Sequence, residues 1–389
     1  MPSYAISRVG ELEQDLIGEY DIALANDETL VAALRTNTSY LKVVDYRLAS
    51  AGDITETGQA QTVQVATVSL TIPTATDWVT SATRIVGTKL FLSQWSPSVS
   101  HGQDGEGPAT GGSVIASFGT RFTWIPPSTN PPPPPGTVVK SPQGYLVVTA
   151  HRNTLHELRV TAWISASHGI EELASAVSPE RSTLVSIVAN QTLPGNGVLE
   201  SANVITASIS SGKLRLATWR INVLPQTEAT VVLVAETATD VAIKEISATV
   251  FSRQDGNYLA TAVIGNDGKL TLITWRMLAN GTFTRWLDAP AGAASGIDCV
   301  RIRRSDLAVG CRDGNDKLRV IYWRFPYRDA GSQAVIRMGT AIAGTLGSFG
   351  GVKLAHTAAT SAKPGDTIAA CRTEAGKLKL IRYRLTNGD

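Results

Sequence analysis

Short apolar runs alternate with polar turns along the chain, at the period of β-strands. Over residues 243–289, four such runs have the sequences IKEISATVF, NYLATAVIG, KLTLITWRM and GTFTRWLDA. The turns at 255–257 and 266–268 have the sequences DGN and NDG. Tight turns between strands need positive φ angles, which Gly, Asn and Asp adopt at the least cost. The pattern therefore predicts consecutive antiparallel strands, and no stretch has a helical period of useful length.

The same frame recurs seven times along the chain. Every copy contains a leucine and, five residues later, an aromatic side chain. The leucines are Leu41, Leu90, Leu158, Leu214, Leu270, Leu318 and Leu378. The aromatics are Tyr46, Trp95, Trp163, Trp219, Trp275, Trp323 and Tyr383. Successive aromatics are 49, 68, 56, 56, 48 and 60 residues apart. This spacing is typical of four-stranded repeats whose loops vary in length.

The two ends of the chain complement each other. The last copy stops just after its third strand, and Ala5–Gly10 matches Ala334–Gly339, the fourth strand of the sixth copy. We therefore expect residues 1–10 to form the outer strand of the last repeat and to close a ring of repeats, which leaves no exposed strand edge between the ends.

The repeat consensus, approximately Gly-Lys-Leu-x-Leu-x-x-Trp-Arg, resembles the repeats of uncharacterised bacterial β-propeller proteins over essentially the whole chain. The signatures of WD, kelch and sialidase-type repeats do not occur in the sequence. The resemblance implies an all-β fold, a seven-bladed β-propeller that forms a single domain over residues 1–389. It implies no particular activity. Within this domain, residues 96–112 and 126–136 are predicted loop insertions, the second of them rich in proline.

The balance of charge narrows the choice of partners. Lys and Arg number 35 against 33 Asp and Glu, for a formal net charge of +2. This balance argues against nucleic acid as a partner bound through a broad basic surface. No run approaches the roughly 20 apolar residues that span a bilayer. The first residues lack the features of a signal peptide, so we expect the protein in the cytoplasm, or else exported without a classical signal. We also expect a monomer. The three cysteines, Cys299, Cys311 and Cys371, are expected to be buried free thiols.

Arginine recurs at the turn between the second and third strands of a blade. The five positions are Arg35, Arg84, Arg152, Arg312 and Arg372. These turns all emerge on one face of a propeller, so the arginines would gather positive charge there and attract an anionic ligand. The proline-rich insertion is expected on the same face. The alternative is that the five arginines are ordinary solvated residues at strand ends, balanced by acidic residues in the same turns.

A second set of arginines directly follows the repeated aromatic residue. Its members are Arg47, Arg220, Arg276, Arg324 and Arg384. We expect them to form structural hydrogen bonds or stacks between blades, since the guanidinium fork suits such contacts.

Two histidines are candidates for a site near the central channel. His356 is predicted on the first strand of the last blade, near Arg301, Arg303 and Arg304, where it would bind an anion or act as a base. The alternative is a buried histidine with satisfied hydrogen bonds. His151 lies near His156, but two histidines alone do not form a metal site, so no metal and no cofactor are expected.

Two functional hypotheses follow from these candidates. The first is a non-enzymatic binding or scaffold module. It would recognise an anionic or glycan ligand, as a lectin does, or a protein, through the face with the repeated arginines and the proline-rich loop. The repetition itself would provide multivalent binding. The alternative is an enzyme with a single asymmetric site at the mouth of the central channel, built from His356, His151 and nearby arginines. The sequence contains no nucleophile elbow, phosphate loop or metalloprotease motif.

Overall fold

The protein is described by a computed structural model. It covers residues 4–72, 79–84, 89–95, 101–108, 113–123, 143–153, 155–166, 169–183, 185–190, 201–223, 228–253, 255–303, 305–325, 335–347, 351–357 and 365–387. Within these ranges the regular elements are β-strands and none is a helix. The expectation of an all-β chain is confirmed.

The strands of the described residues form seven antiparallel groups of four, numbered units 1 to 7. Unit 1 consists of the second half of β1 (Tyr4–Asn26) with β2 (Thr29–Thr36), β3 (Tyr40–Leu48) and β4 (Ile54–Gln64). Unit 2 consists of β5 (Thr67–Thr71), β6 (Val79–Arg84), β7 (Lys89–Trp95) and β8 (His101–Pro108). Unit 3 consists of β9 (Ser113–Thr123), β10 (Gln143–Arg152), β11 (Glu157–Ala166) and β12 (Gly169–Arg181).

Long strands continue from one unit into the next in the second half of the chain. Unit 4 consists of β13 (Val185–Asn190), β14 (Ser201–Ser210), β15 (Lys213–Asn222) and the first half of β16 (Thr230–Arg253). Unit 5 consists of the second half of β16, β17 (Gly256–Gly265), β18 (Lys269–Met277) and the first half of β19 (Phe283–Arg303). Unit 6 consists of the second half of β19, β20 (Asp306–Asp313), β21 (Lys317–Arg324) and β22 (Ile336–Thr345). Unit 7 consists of β23 (Lys353–His356), β24 (Asp366–Arg372), β25 (Lys377–Asn387) and the first half of β1.

The repeated leucine and aromatic residues lie on the third strand of every unit, and all fourteen side chains are buried. In units 3, 4 and 5 the tryptophan donates a hydrogen bond from Nε1 to a threonine on the second strand. The pairs are Trp163–Thr149, Trp219–Thr206 and Trp275–Thr261, each 2.9 Å long. In all seven units the register between the third and fourth strands shifts at the aromatic residue. The repeated leucine and aromatic residues therefore form the core of each unit, and the outer strand bulges beside the aromatic residue.

Apolar side chains join each unit to the next. Separate buried clusters connect units 1 and 2, 2 and 3, 3 and 4, 4 and 5, 5 and 6, and 6 and 7. A further cluster connects unit 7 to unit 1, where Ile368 and Leu380 pack with Ile17 and Leu34. Each unit thus buries both faces of its sheet against neighbours, which is the main source of stability for such stacked sheets.

The two ends of the described chain pair with each other. Residues 4–16 of β1 run antiparallel to β25, with Tyr4 opposite Asn387 and Leu16 opposite Lys377. From Ile17 onwards β1 belongs to unit 1. The amide of Ile17 donates to the carbonyl of Gly376 in unit 7 over 2.9 Å. Tyr46 on β3 donates to Gln14 Oε1 over 2.8 Å. The first strand therefore belongs to unit 7 and unit 1 together.

The structure describes part of the first predicted insertion and none of the second. Residues 101–108, inside the loop expected at 96–112, form strand β8 and pair with β7. Unit 2 needs this strand because the outer edge of β7 would otherwise lack hydrogen-bond partners. The proline-rich segment at 126–136 lies outside the described residues. Among the described residues no helix has the length and apolar character needed to cross a membrane.

Candidate functional site

The turn arginines hold the connections between units. Arg35 Nη1 donates to the carbonyl of Ala66 over 2.9 Å, and Arg312 Nη1 donates to the carbonyl of Gly347 over 3.2 Å. Ala66 and Gly347 both lie on the segment that leads from one unit to the next. Arg312 Nε also donates to Ser295 Oγ over 3.1 Å, on the preceding connection. These guanidinium groups therefore bridge neighbouring units through groups of the chain itself.

The other predicted arginines occupy equivalent positions. Arg84, Arg152 and Arg372 are the last residues of β6, β10 and β24, each the second strand of its unit. The side chain of Arg84 lies outside the described part of the chain. Arg152 and Arg372 are partly buried.

His356 lies at the opposite end of its unit from Arg372. It pairs with Thr367, whose Oγ1 is 3.1 Å from His356 Nδ1. Arg372 is five residues further along β24, about 16 Å away at the usual rise of a strand. Burial lowers the pKa of His356 to about 4, opposed by the carboxylate of Asp366 and assisted by the positive charge of Arg303. The imidazole is therefore neutral at pH 7 and is not placed beside the turn arginines.

His151 belongs to a different unit and a different environment. It is buried on β10 of unit 3, opposite Arg159 on β11. His156 is an exposed turn residue with φ of 67°, at the position that Gly268 and Gly376 occupy in units 5 and 7. The histidines of the enzyme hypothesis are thus distributed over separate units. Within the described ranges, no group of three or more His, Cys, Asp or Glu residues is arranged to hold a metal.

The cysteines are buried free thiols, as expected. Cys299 faces Val309 rather than Cys311 across the strands of unit 6. Burial raises the pKa of Cys299 and of Cys371 to about 12. Thiols with such a pKa stay protonated and are poor nucleophiles.

A ring of polar side chains surrounds a cavity lined by the first strands of six units. The ring consists of Asp21, Ser69, Ser186, Ser247, Asp298 and Lys353, and the cavity has a volume of about 240 Å³. Four of these side chains accept a hydrogen bond from a backbone amide of the next described unit in the ring. The bonds run from Leu70 to Asp21, Ala248 to Ser186, Cys299 to Ser247 and Leu354 to Asp298, at 2.8, 3.0, 3.1 and 2.8 Å. The first strand is the inner edge of each sheet, and these bonds satisfy amides that have no strand beside them.

Lys353 takes a different part in this inner ring, because an ammonium group cannot accept a hydrogen bond. Its Nζ lies 3.5 Å from Asp21 Oδ1. The carboxylate of Asp21 is the largest influence on the pKa of Lys353, which is raised. Asp21 Oδ1 also accepts from the amide of Ile22 over 3.0 Å. The polar atoms of the ring thus bind one another and the strand edges, so the ring is primarily a structural device.

The arginines after the aromatic residue show a clear internal pattern. In unit 6, Arg324 donates from Nε and Nη2 to the two carboxylate oxygens of Asp306 over 2.9 and 2.8 Å. In unit 7, Arg384 binds Asp366 in the same way over 2.8 and 2.9 Å. Both aspartates lie directly opposite their arginine, on the first residue of the second strand. In these two units the arginine does form a structural hydrogen bond, as a bidentate ion pair. The bond joins two strands of one unit and does not run between units as expected.

Unit 4 departs from this pattern. Arg220 lies opposite Asn203, where units 6 and 7 have aspartate. An amide is neutral and cannot replace the carboxylate. Among the described residues, Arg220 has no hydrogen-bond or ion-pair partner, and its side chain is exposed. Asn203 likewise has no side-chain partner in these ranges.

Arg220 and Asn203 line a pocket between units 4 and 5. Asn190 and Asn257 contribute two further amides, and Met277 contributes an apolar wall, around a volume of about 240 Å³. Asn257 Oδ1 accepts a hydrogen bond from a neighbouring serine over 2.8 Å, which leaves its NH₂ group as a donor. We call this cavity the unit 4–5 pocket.

The wall of the unit 4–5 pocket is held by a contact between the two units. Thr218 Oγ1 on β15 donates to the carbonyl of Gly281 over 2.8 Å. Gly281 has φ of 84° and ends the turn between β18 and β19. The pocket is therefore bordered by strand ends and one tight turn, on the side of the units opposite to the turn arginines.

Sequence reasoning missed this pocket, although a signal for it exists. The aligned repeats place Asn203 where Asp306 and Asp366 stand, so the arginine that follows the tryptophan loses its carboxylate in unit 4 alone of these three. Comparing the residues opposite Arg220, Arg324 and Arg384, rather than the arginines themselves, would have identified Arg220 as the one of the three that lacks a carboxylate.

The solved structures that are similar to the chain include a mutant protein and a lectin complex. No family model and no curated protein matches the chain. A triple arginine-to-alanine mutant of AofleA from Arthrobotrys oligospora is 10% identical, with a TM-score of 0.49, covering 88% of this chain and 92% of that chain. The SapL1 lectin in complex with alpha methyl fucoside is 9% identical, with a TM-score of 0.46, covering 84% of this chain and 97% of that chain. Likeness at this level does not assign a ligand.

Proposed function

We propose that the protein is a non-enzymatic binding module, a seven-bladed β-propeller whose ligand occupies the unit 4–5 pocket. The observation that carries this proposal is the guanidinium group of Arg220, which has no partner among the described residues and lines a pocket with three asparagines. Repeated structural groups that lose their partner and face a cavity are available to a ligand.

The sequence of apolar clusters supports the propeller. Each unit shares a buried cluster with the unit before it and the unit after it, and unit 7 shares one with unit 1. Residues 4–16 add a fourth strand to unit 7, so the chain ends meet within one sheet. On this proposal the seven units are blades, and the pairing of β1 with β25 closes them into a ring.

The chemistry of the pocket favours a polyhydroxylated ligand such as a sugar. The amides of Asn190, Asn203 and Asn257 can bind hydroxyl groups through their NH₂ groups and carbonyl oxygens. Asn257 Oδ1 already accepts from a serine, and Asn190 Nδ2 already donates to Met277 Sδ over 3.9 Å, which leaves its second N–H as a donor. Met277 and Val234 provide apolar surface for the face of a ring. None of these side chains is a nucleophile or a titrating acid or base, so the pocket is suited to binding rather than to catalysis.

The experiment is a glycan-array screen with the wild-type protein and two variants. Arg220→Gln removes the free guanidinium, and we expect it to abolish binding to the glycans that the wild type retains. Arg47→Gln is the matched control, because Arg47 occupies the equivalent exposed position in unit 1, opposite Thr29. We expect this control to bind as the wild type does.

The same screen tests the turn arginines as ligand contacts. Arg312→Gln removes one of the five predicted residues, and on our proposal it lowers stability without changing glycan selectivity. Loss of glycan binding in Arg312→Gln with retention in Arg220→Gln would transfer the site to the face that carries the turns. A wild-type protein that retains no glycan contradicts the sugar-binding function.

A further inference from the structure

We infer that the ligand of the unit 4–5 pocket carries a carboxylate, and that this carboxylate binds Arg220 in the place that aspartate fills in units 6 and 7. The class of ligand is therefore an acidic sugar of the hexuronic type. This inference rests on the proposed function, and it adds the charge and geometry of the group that the pocket selects.

Units 6 and 7 provide the internal template for this contact. Arg324 and Arg384 each bind a carboxylate through Nε and Nη2, with four hydrogen bonds between 2.8 and 2.9 Å. In this arrangement the planar guanidinium matches the planar carboxylate, and both oxygens are used. Units 6 and 7 thus build, at the position that follows the aromatic residue, a fork that is oriented for a carboxylate.

Unit 4 keeps the fork and removes the carboxylate. Asn203 has the same shape as aspartate but no charge, and Arg220 has no partner within the described ranges. A buried guanidinium without a counter-charge would be costly, but Arg220 is exposed to the pocket and remains solvated until a ligand binds. An incoming carboxylate would exchange water for two charge-assisted hydrogen bonds.

The rest of the pocket distinguishes an acidic sugar from a simple anion. Asn190, Asn203 and Asn257 surround the fork with amide donors and acceptors, which match the hydroxyl groups of a sugar ring rather than a bare carboxylate. The cavity of about 240 Å³ is small, so it holds a terminal residue and not a chain. A tetrahedral sulfate would use the fork less well, because its oxygens do not lie in one plane.

The test is isothermal titration calorimetry with D-galacturonate and D-glucuronate against the neutral sugars D-galactose and D-glucose. For the wild type we expect one uronate to bind roughly tenfold to a hundredfold more tightly than its neutral counterpart, the range of a charge-assisted pair of hydrogen bonds. Galactose 6-sulfate is a third arm, and we expect it to bind more weakly than the uronate.

The decisive variant is Asn203→Asp, which installs in unit 4 the carboxylate of units 6 and 7. We expect it to fold normally, to pair with Arg220, and to lose uronate binding by at least tenfold. The matched control is Thr29→Asp, which installs the same pair with Arg47 in unit 1. We expect this control to bind uronate as the wild type does, with circular dichroism spectra and unfolding curves showing that both variants are folded.

The outcomes separate the inference from the proposed function. If galactose and galacturonate bind equally and Arg220→Gln abolishes both, the pocket is a sugar site and the carboxylate inference is overturned. Galactose 6-sulfate that binds as tightly as the uronate also overturns it. Uronate binding that survives in Asn203→Asp places the ligand elsewhere and overturns the inference together with the proposed site. If the wild type binds none of these sugars and none on the array, both proposals fail.

Discussion

The hydrogen bond between tryptophan and threonine can be removed in one unit and built in another. In unit 5, Trp275 Nε1 donates to Thr261 Oγ1 over 2.9 Å, and both residues are buried. In unit 6 the equivalent threonine is replaced by Val309, and Trp323 Nε1 is buried without a partner among the described residues. The two changes to make are therefore Thr261→Val and Val309→Thr, which exchange groups of nearly equal volume.

The expected effects have opposite signs. Thr261→Val leaves the indole N–H buried and unsatisfied, which costs about 1–3 kcal/mol of unfolding free energy. Val309→Thr gives the indole of Trp323 an acceptor, which contributes about 1 kcal/mol. The new hydroxyl can donate to the carbonyl of Ile321, because Thr261 Oγ1 donates to the equivalent carbonyl of Ile273 over 3.3 Å.

The assay is urea unfolding followed by tryptophan fluorescence and, independently, by circular dichroism. A lower midpoint for Thr261→Val and a higher midpoint for Val309→Thr are expected, with similar slopes. The reasoning is refuted if Val309→Thr lowers the midpoint while Thr261→Val leaves it unchanged, because the repeat would then not depend on this hydrogen bond.

Three further predictions concern strain and pH. His156→Gly is expected to raise stability by about 1 kcal/mol, measured by urea unfolding, because φ is 67° there and glycine has no Cβ penalty. Burial raises the pKa of Asp45 to about 6, so the carboxyl group destabilises the fold as pH rises from about 4 to 6. Asp45→Asn is expected to be more stable than the wild type at pH 7, by on the order of 2 kcal/mol, with the difference vanishing below pH 4. The pKa of His356 is lowered to about 4 in the folded protein. As the pH is lowered from 6.5 to 4, this histidine is protonated in the unfolded chain before it is protonated in the folded one, so stability falls over that range. His356→Gln is expected to flatten that part of the unfolding profile, and an unchanged profile contradicts the assignment.

The repeat predicted the strands because its physical cause is local. Leu270 and Trp275 alternate with polar residues at the period of a strand, and Gly268 supplies the positive φ of the turn. The pairing of Tyr4 with Asn387 followed from the similarity of residues 5–10 to an outer strand. The strands and turns depend on neighbours in the sequence, and the pairing of the ends is marked by an internal repeat, so a single chain is enough to recognise both.

The candidate site could not be predicted in the same way, because it depends on contacts between strands. Arg312 was selected for its charge, yet its guanidinium binds Gly347 and Ser295 of the chain itself. Arg220 looked like the structural arginines, and the strand register shows that the residue opposite it is the uncharged Asn203. The inner ring was also missed, since Ser186 and Ser247 are unremarkable until the edge of the next unit is placed beside them.

The most direct test of the functional account is a crystal structure of the protein soaked with D-galacturonate. The account predicts the sugar in the unit 4–5 pocket, with its carboxylate oxygens within hydrogen-bond distance of the Arg220 guanidinium and its hydroxyls on Asn190 and Asn257. A sugar bound instead at Arg35, at Arg312 or beside His356, with the unit 4–5 pocket holding only water, would contradict it.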